Sequence, residues 1–79
     1  MFLEIVTPEE KLYSNDVKYV KMPGSGGLFG VLKNHAPTIS ILEKGQIKVV
    51  DNDDKETFFD VNGGVVEVLN NNIIVLAKL

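Results

Sequence analysis

The chain predicts an all-β fold, a β-sandwich or flattened barrel, on three grounds. Apolar and polar residues alternate with a period of two, as in Gln46-Ile47-Lys48-Val49 and Thr38-Ile39-Ser40-Ile41. That period sends successive side chains to opposite faces of a strand. Turn-forming clusters recur roughly every 8–12 residues, the spacing of sandwiches and barrels. No segment long enough for a stable helix carries a convincing 3.6-residue period.

The elements follow in order. Thr7-Pro8-Glu9-Glu10 has the residues of a helix start, with a Thr cap, Pro in the first turn and Glu three after the cap. Ser14-Asn15-Asp16 interrupts the run soon afterwards, so a β-turn at Pro8-Glu9 leading into a short strand is the preferred reading, with a second turn at Ser14–Asp16. Val17-Lys18-Tyr19-Val20-Lys21-Met22 is rich in β-branched and aromatic residues and reads as a strand. Gly24 to Gly30 reads as a flexible, exposed glycine-rich loop. Strands are expected at Thr38–Ile41, Gln46–Val49, Thr57–Val61, Val65–Leu69 and Ile73–Leu76. They are separated by turns at Lys44-Gly45, Asp51–Asp54, Asn62–Gly64 and Asn70–Asn72. There is no internal repeat or linker, so residues 1–79 form one domain.

Composition narrows the function. With 79 residues and no cysteine, the core is modest and has neither disulfide nor thiolate–metal support, so a binding partner is expected. The formal charge is −3 and no basic run occurs, which weighs against binding to nucleic-acid phosphates. The longest apolar runs, Ile73–Ala77 and Gly63–Val66, fall far short of the roughly 20 residues of a membrane-spanning helix. Met1-Phe2-Leu3-Glu4 has no secretory-signal pattern. A soluble, cytoplasmic protein, attached to a membrane only through another protein, is the expectation.

Four motifs invite chemistry, and each has a plainer reading. Gly24-Ser25-Gly26-Gly27 suggests a phosphate cradle, but Leu28-Phe29-Gly30-Val31 follows where a Lys-Ser/Thr pair and a helix are required. His35 is the only histidine; no nearby carboxylates complete a metal site and no serine stands in a nucleophile elbow. An exposed or interfacial His before Ala36-Pro37 is favoured over a small hydrolase. Asp51-Asn52-Asp53-Asp54 resembles the start of a calcium loop, yet Lys55 and Glu56 stand where an oxygen ligand and glycine are needed. Phe29, Phe58, Phe59 and Tyr19 suggest a stacking platform of the kind found on small nucleic-acid-binding β-barrels, which is the alternative function. The acidic balance favours core packing for them instead.

Taken in order, several segments resemble one family. They are Leu3-Glu4-Ile5-Val6-Thr7-Pro8, Gly24-x-x-Gly27-x-x-Gly30 followed by His35-Ala36-Pro37, Gly45-Gln46-Ile47-Lys48-Val49, Gly63-Gly64-Val65-Val66-Glu67-Val68 and Asn72–Ala77. The whole chain is similar to the N-terminal domain of the epsilon subunit of F-type ATP synthases. The resemblance implies a flattened β-sandwich of two five-stranded sheets. It also implies a non-catalytic rotor subunit of the central stalk, without cofactor or metal. The implied partners are the gamma subunit, the c-subunit ring and, through gamma, the catalytic head. The implied location is peripheral, at the cytoplasmic face of the bacterial inner membrane. Residues 26–30 (Gly26, Gly27, Leu28, Phe29 and Gly30) match the ring-facing segment; Thr7, Leu12, Tyr13, His35, Ala36, Pro37 and Ile39 match the gamma-facing surface. Two departures stand out. Leu28 occupies a position where relatives often carry an acid. The sequence also stops at Leu79, before the family's C-terminal helices, as in a single domain of a longer chain or a naturally short epsilon. Without those helices, neither inhibition by extension nor ATP binding is expected.

Overall fold

A computed structural model describes all 79 residues. It holds eight strands and no helix: β1 (Phe2–Val6), β2 (Lys11–Gly24), β3 (Gly27–Val31), β4 (Thr38–Leu42), β5 (Gly45–Asp51), β6 (Glu56–Val61), β7 (Gly63–Leu69) and β8 (Asn72–Lys78). All eight belong to one hydrogen-bonded network that folds over into two layers. The first half of β2, then β1, β8, β7 and β4, make the first layer. The second half of β2 lies between β3 and β5, with β6 beyond, in the second layer. The end of β4 joins it through a Gly24–Leu42 bridge. The body measures 27 × 23 × 18 Å, a flattened sandwich.

β2 is the hinge of this arrangement. Residues Lys11–Asp16 pair with β1, and Val17–Gly24 pair with β3 and β5. The register shifts between Val17 and Tyr19, so Lys18 is a bulged residue. A bulge bends and twists its strand, which lets one strand serve both layers. Ser14, Asn15 and Asp16 therefore form no turn; they pair with Glu4, Leu3 and Phe2. This strand segment is an edge, where polar residues facing water are tolerated and deter unwanted pairing. β1 itself was not foreseen, because Phe2-Leu3 and Ile5-Val6 blur the period-two pattern. It runs parallel to β8.

The core is aliphatic. Fifteen buried apolar residues form one cluster, drawn from both layers. Leu3, Ile5, Val66, Ile73 and Val75 point inward from the first layer; Val20, Met22, Ile47 and Val49 point inward from the second. The aromatics are not its centre. Phe29 and Phe59 are half-buried against it, Tyr19 is half-buried, and Phe58 is exposed. Tyr13 of β2 and Phe59 of β6 meet edge-on, with centroids 5.7 Å apart, and close one seam between the layers.

Turns follow their residues. Thr7 Oγ1 accepts from the Glu9 and Glu10 N–H groups at 3.3 and 3.1 Å, and the Thr7 N–H donates to Glu10 O at 2.8 Å. Thr7–Glu10 is thus a closed turn between β1 and β2, not a helix. Asn70 and Asn71 both take positive φ, 51° and 61°, the conformation of a tight hairpin turn between β7 and β8. Gly64 has φ 152°, and a Cβ there would collide with the Leu76 carbonyl oxygen; only glycine fits.

Candidate docking surface

The Gly24–Gly30 segment is a hairpin rather than a flexible loop. Gly24 pairs with Gly27 around a two-residue Ser25-Gly26 turn, and Leu28, Phe29 and Gly30 pair with Pro23, Met22 and Lys21. The glycines that suggest a loop do specific work here. Gly27 supplies φ 125° at the turn, and a Cβ on Gly30 would stand 2.7 Å from the Tyr19 ring. The tip is tied to the first layer: Ser25 N–H donates to Ile41 O at 3.0 Å and Glu43 N–H to Pro23 O at 2.8 Å. Leu28 is 67% exposed beside that tip.

The most unusual surface lies on the outer side of the first layer. In antiparallel sheets with one solvated side, outward positions are normally polar. Here β4 presents Ile39 and Ile41, β7 presents Val65 and Leu69, and β8 presents Ile74 and Leu76, all exposed. Their register makes them neighbours: Ile41 lies opposite Val65, which lies opposite Leu76, and Ile39 and Ile74 flank Glu67. Three hollows mark this side. One of about 350 Å³ runs from Pro37 and Ile39 to Glu67 and Leu69. A second, about 230 Å³, lies among Ile39, Val65, Glu67, Ile74 and Leu76. A third, about 250 Å³, opens between Thr7, Pro8 and Leu76 at the end of β1.

The residues matched to a gamma-facing surface are dispersed around this face. Ile39 stands within it and is 75% exposed. Pro37 lines one hollow and Thr7 another, at opposite ends of the layer. His35 and Ala36 sit in the β3–β4 connection, where His35 Nδ1–H donates to Ala36 O at 2.8 Å. Leu12 is the extra residue of a bulge opposite β1, half-buried against the core. Tyr13 turns inward to Phe59 and so faces away from the apolar side. Ile41, Val65, Leu69, Ile74 and Leu76 were missed. The signal for three of them was the uninterrupted apolar runs Gly63–Val66 and Ile73–Ala77, which make a strand apolar on both faces and so expected to be covered on both.

Two other candidate chemistries find no assembly. No three His, Cys, Asp or Glu side chains converge as metal ligands. The Asp51–Asp54 run closes a hairpin, with Asp51 Oδ1 accepting from Asp53 and Lys55 N–H groups at 2.9 Å each. Nor do the aromatics form one platform, since Phe58 points out of the second layer while Phe29 and Phe59 pack toward the core.

A family model for the ATP synthase delta/epsilon chain, β-sandwich domain, matches residues 1–79. The chain belongs to this family. It is 40% identical over 77 residues to the ATP synthase epsilon chain of Campylobacter curvus, covering 98% of this chain and 60% of that relative. It is 40% identical over 76 residues to the epsilon chain of Chlorobaculum tepidum, covering 96% of this chain and 86% of that one. The chain thus spans about three fifths of the Campylobacter relative and most of the Chlorobaculum one. Its fold matches a chain in the Euglena gracilis mitochondrial ATP synthase structure containing OSCP, F1 and c-ring. The TM-score is 0.91 at 20% identity, over 98% of this chain and 49% of that chain. It also matches a chain of the Tetrahymena thermophila mitochondrial ATP synthase central stalk and c-ring, with TM-score 0.83 at 15% identity, over 100% and 63%. The family's β-sandwich is the fold expected from the sequence.

Proposed function

We propose that this chain is a non-catalytic rotor subunit of an F-type ATP synthase, fastening the gamma subunit to the c-subunit ring so that ion-driven rotation reaches the catalytic head. The observation that carries this reading is the apolar outer face of the first layer. Contiguous exposed patches of large aliphatic side chains mark interaction sites, and six such side chains lie side by side there. We assign gamma to that face, with Ile39 within it and Thr7 and Pro37 at its margins. The ring is assigned to the β2–β3 hairpin, where Leu28 and its neighbours offer an apolar contact in place of a charged one.

The fold suits transmission of torque. Of its 48 backbone hydrogen bonds, 39 lie within the strands, so both assigned surfaces ride on one ladder. The Ser25–Ile41 and Glu43–Pro23 bonds tie the hairpin directly to the layer that carries the apolar face. No bound cofactor enters this role, and the location is peripheral, on the cytoplasmic face of the bacterial inner membrane through the ring.

Binding of purified gamma and of the assembled ring, measured by calorimetry or pull-down, tests the assignment. Gamma is expected to bind at micromolar concentration or below. A double Ile39→Ser, Leu76→Ser variant should lose gamma and keep the ring, whereas Leu28→Asp should weaken the ring and keep gamma. Failure of the intact chain to bind gamma at micromolar concentration would falsify the reading.

A further inference from the structure

The apolar face has one charge at its centre. Glu67 lies on β7 between Ile39 of β4 and Ile74 of β8, and between Val65 and Leu69 along its own strand. It borders two of the three hollows. Its carboxylate takes part in none of the three ion pairs and in no hydrogen bond between side chains. The next acid in the same cross-strand row is Glu4 of β1, opposite Ile74, and it is held by Lys11 at 2.8 Å. Glu67 is therefore the unpaired acid in the middle of a surface otherwise built to be covered.

A partner that covers Ile39 and Ile74 must also cover Glu67 or leave a wet notch over it. Removing an ionised carboxylate from water without a partner costs several kcal/mol, roughly what burying two or three aliphatic side chains contributes. An apolar surface alone would lose much of what it gained. A cation opposite the carboxylate, able to make charge-assisted hydrogen bonds, removes the conflict. It also fixes position: an apolar patch tolerates sliding, but a single buried charge pair has one register.

We propose that the surface docking on this face carries a single lysine or arginine that meets Glu67, making Glu67 the residue that sets the register of docking. The inference rests on the assignment of gamma to this face and adds the chemistry of the contact. It gives the glutamate of the Gly-Gly-x-x-Glu-Val segment a role in recognition rather than in the fold, since its side chain is exposed and holds nothing within the molecule.

Calorimetric titration of the intact chain with purified gamma tests it, using Glu67→Gln, Glu67→Leu and Glu67→Arg. All three should melt as the unsubstituted protein does, because no intramolecular contact is lost. Glu67→Gln is expected to weaken gamma binding roughly 10- to 100-fold, the loss of one charge-assisted contact. Glu67→Arg should weaken it further by placing like charges together. A Lys→Glu or Arg→Glu change at one position of gamma should restore binding to Glu67→Arg and to no other variant. If Glu67→Gln binds as tightly as the unsubstituted chain, or Glu67→Leu more tightly, the carboxylate stays in water and the inference is overturned while gamma docking stands. If the unsubstituted chain binds no gamma, both are overturned.

Discussion

The two outer faces of the sandwich back onto the same core and differ in almost everything else. The second layer turns Lys21, Gln46, Lys48, Glu56 and Asp60 to water, with Leu28 and Phe58 as separate exposed apolar side chains, Lys48 paired to Glu56 at 3.4 Å and Gln46 bonded to Asp60 at 3.3 Å. The first layer turns out Ile39, Ile41, Val65, Leu69, Ile74 and Leu76 around an unpaired Glu67. Inward residues on both layers are mainly aliphatic and pack into one core, so the core does not ask for the difference. Folding is satisfied by one face of each strand; what the other face carries is set by what it must touch. The second layer keeps to the solvated-sheet rule apart from Leu28 and Phe58, whereas the first gathers six exposed aliphatic side chains on three adjacent strands. Stability and docking are thereby assigned to opposite sides of the same strands.

The strongest test of that separation compares neighbours on one strand. Ile73→Ala in the first layer and Ile47→Ala in the second should each cost about 2–5 kcal/mol, since both side chains are fully buried. The adjacent outward change Lys48→Ser should stay within about 0.5 kcal/mol in urea denaturation, and Ile74→Ser, at 39% exposure, should cost about 1 kcal/mol through strand propensity and partial burial. A large loss from Ile74→Ser would mean that its side chain supports the fold and that the outer face is not free. Next in size is Gly64→Ala. It should destabilise by about 2–3 kcal/mol through its positive φ and the clash with the Leu76 carbonyl. Because Leu76 stands on the apolar face, the same change should also weaken gamma binding. Gly26→Ala, where an added Cβ meets nothing, should do neither.

Most of the sandwich is legible in the sequence, and the gaps have physical causes. Period two locates β4 to β8 because each buries only one face deeply, and Asn-rich or Gly-rich pairs mark their turns. β1 escaped because its outward residues Phe2 and Val6 are themselves apolar and half-buried, which erases the alternation. β3 escaped because glycines at 27 and 30 look like a loop; only the packing of Tyr19 over Gly30 explains one of them. Ser14–Asp16 failed for the opposite reason, since three turn-forming residues are permitted on an edge. Pro37 and Ile39 enter through the resemblance, as residues expected on a gamma-facing surface. The rest of the apolar face, from Ile41 to Leu76, does not, because no single strand shows that its outward residues meet those of its neighbours. Register creates the patch, and register is not written in any one segment.

A smaller effect concerns the margin of the apolar face. Asn34 takes φ 67°, and its N–H donates to Asn71 Oδ1 at 2.8 Å while Asn71 Nδ2 donates back to Asn34 Oδ1 at 3.3 Å. This reciprocal pair fastens the β3–β4 connection, with His35-Ala36-Pro37, to the β7–β8 turn. Asn71→Gly keeps the positive φ and removes both bonds. It should cost about 1 kcal/mol and speed amide hydrogen exchange at Asn34 and His35, leaving the second layer untouched. Unchanged exchange there would show that the connection is held by something other than the asparagines.

The smallest effect separates the faces most cleanly. Glu56 and Glu67 are both exposed glutamates on strands, one on each outer side. Glu56 has Lys48 beside it, with side chains 50% and 32% exposed, so the pair contributes a few tenths of a kcal/mol at most and is screened by salt. Glu56→Gln should lower stability by about 0.3 kcal/mol in dilute buffer and by nothing measurable in about 1 M salt. Glu67→Gln should leave stability unchanged in both, because its carboxylate has no partner to lose. A charge that matters slightly to the free protein already has its partner within the molecule. A charge that matters to the free protein not at all, set among aliphatic neighbours, is kept for a partner.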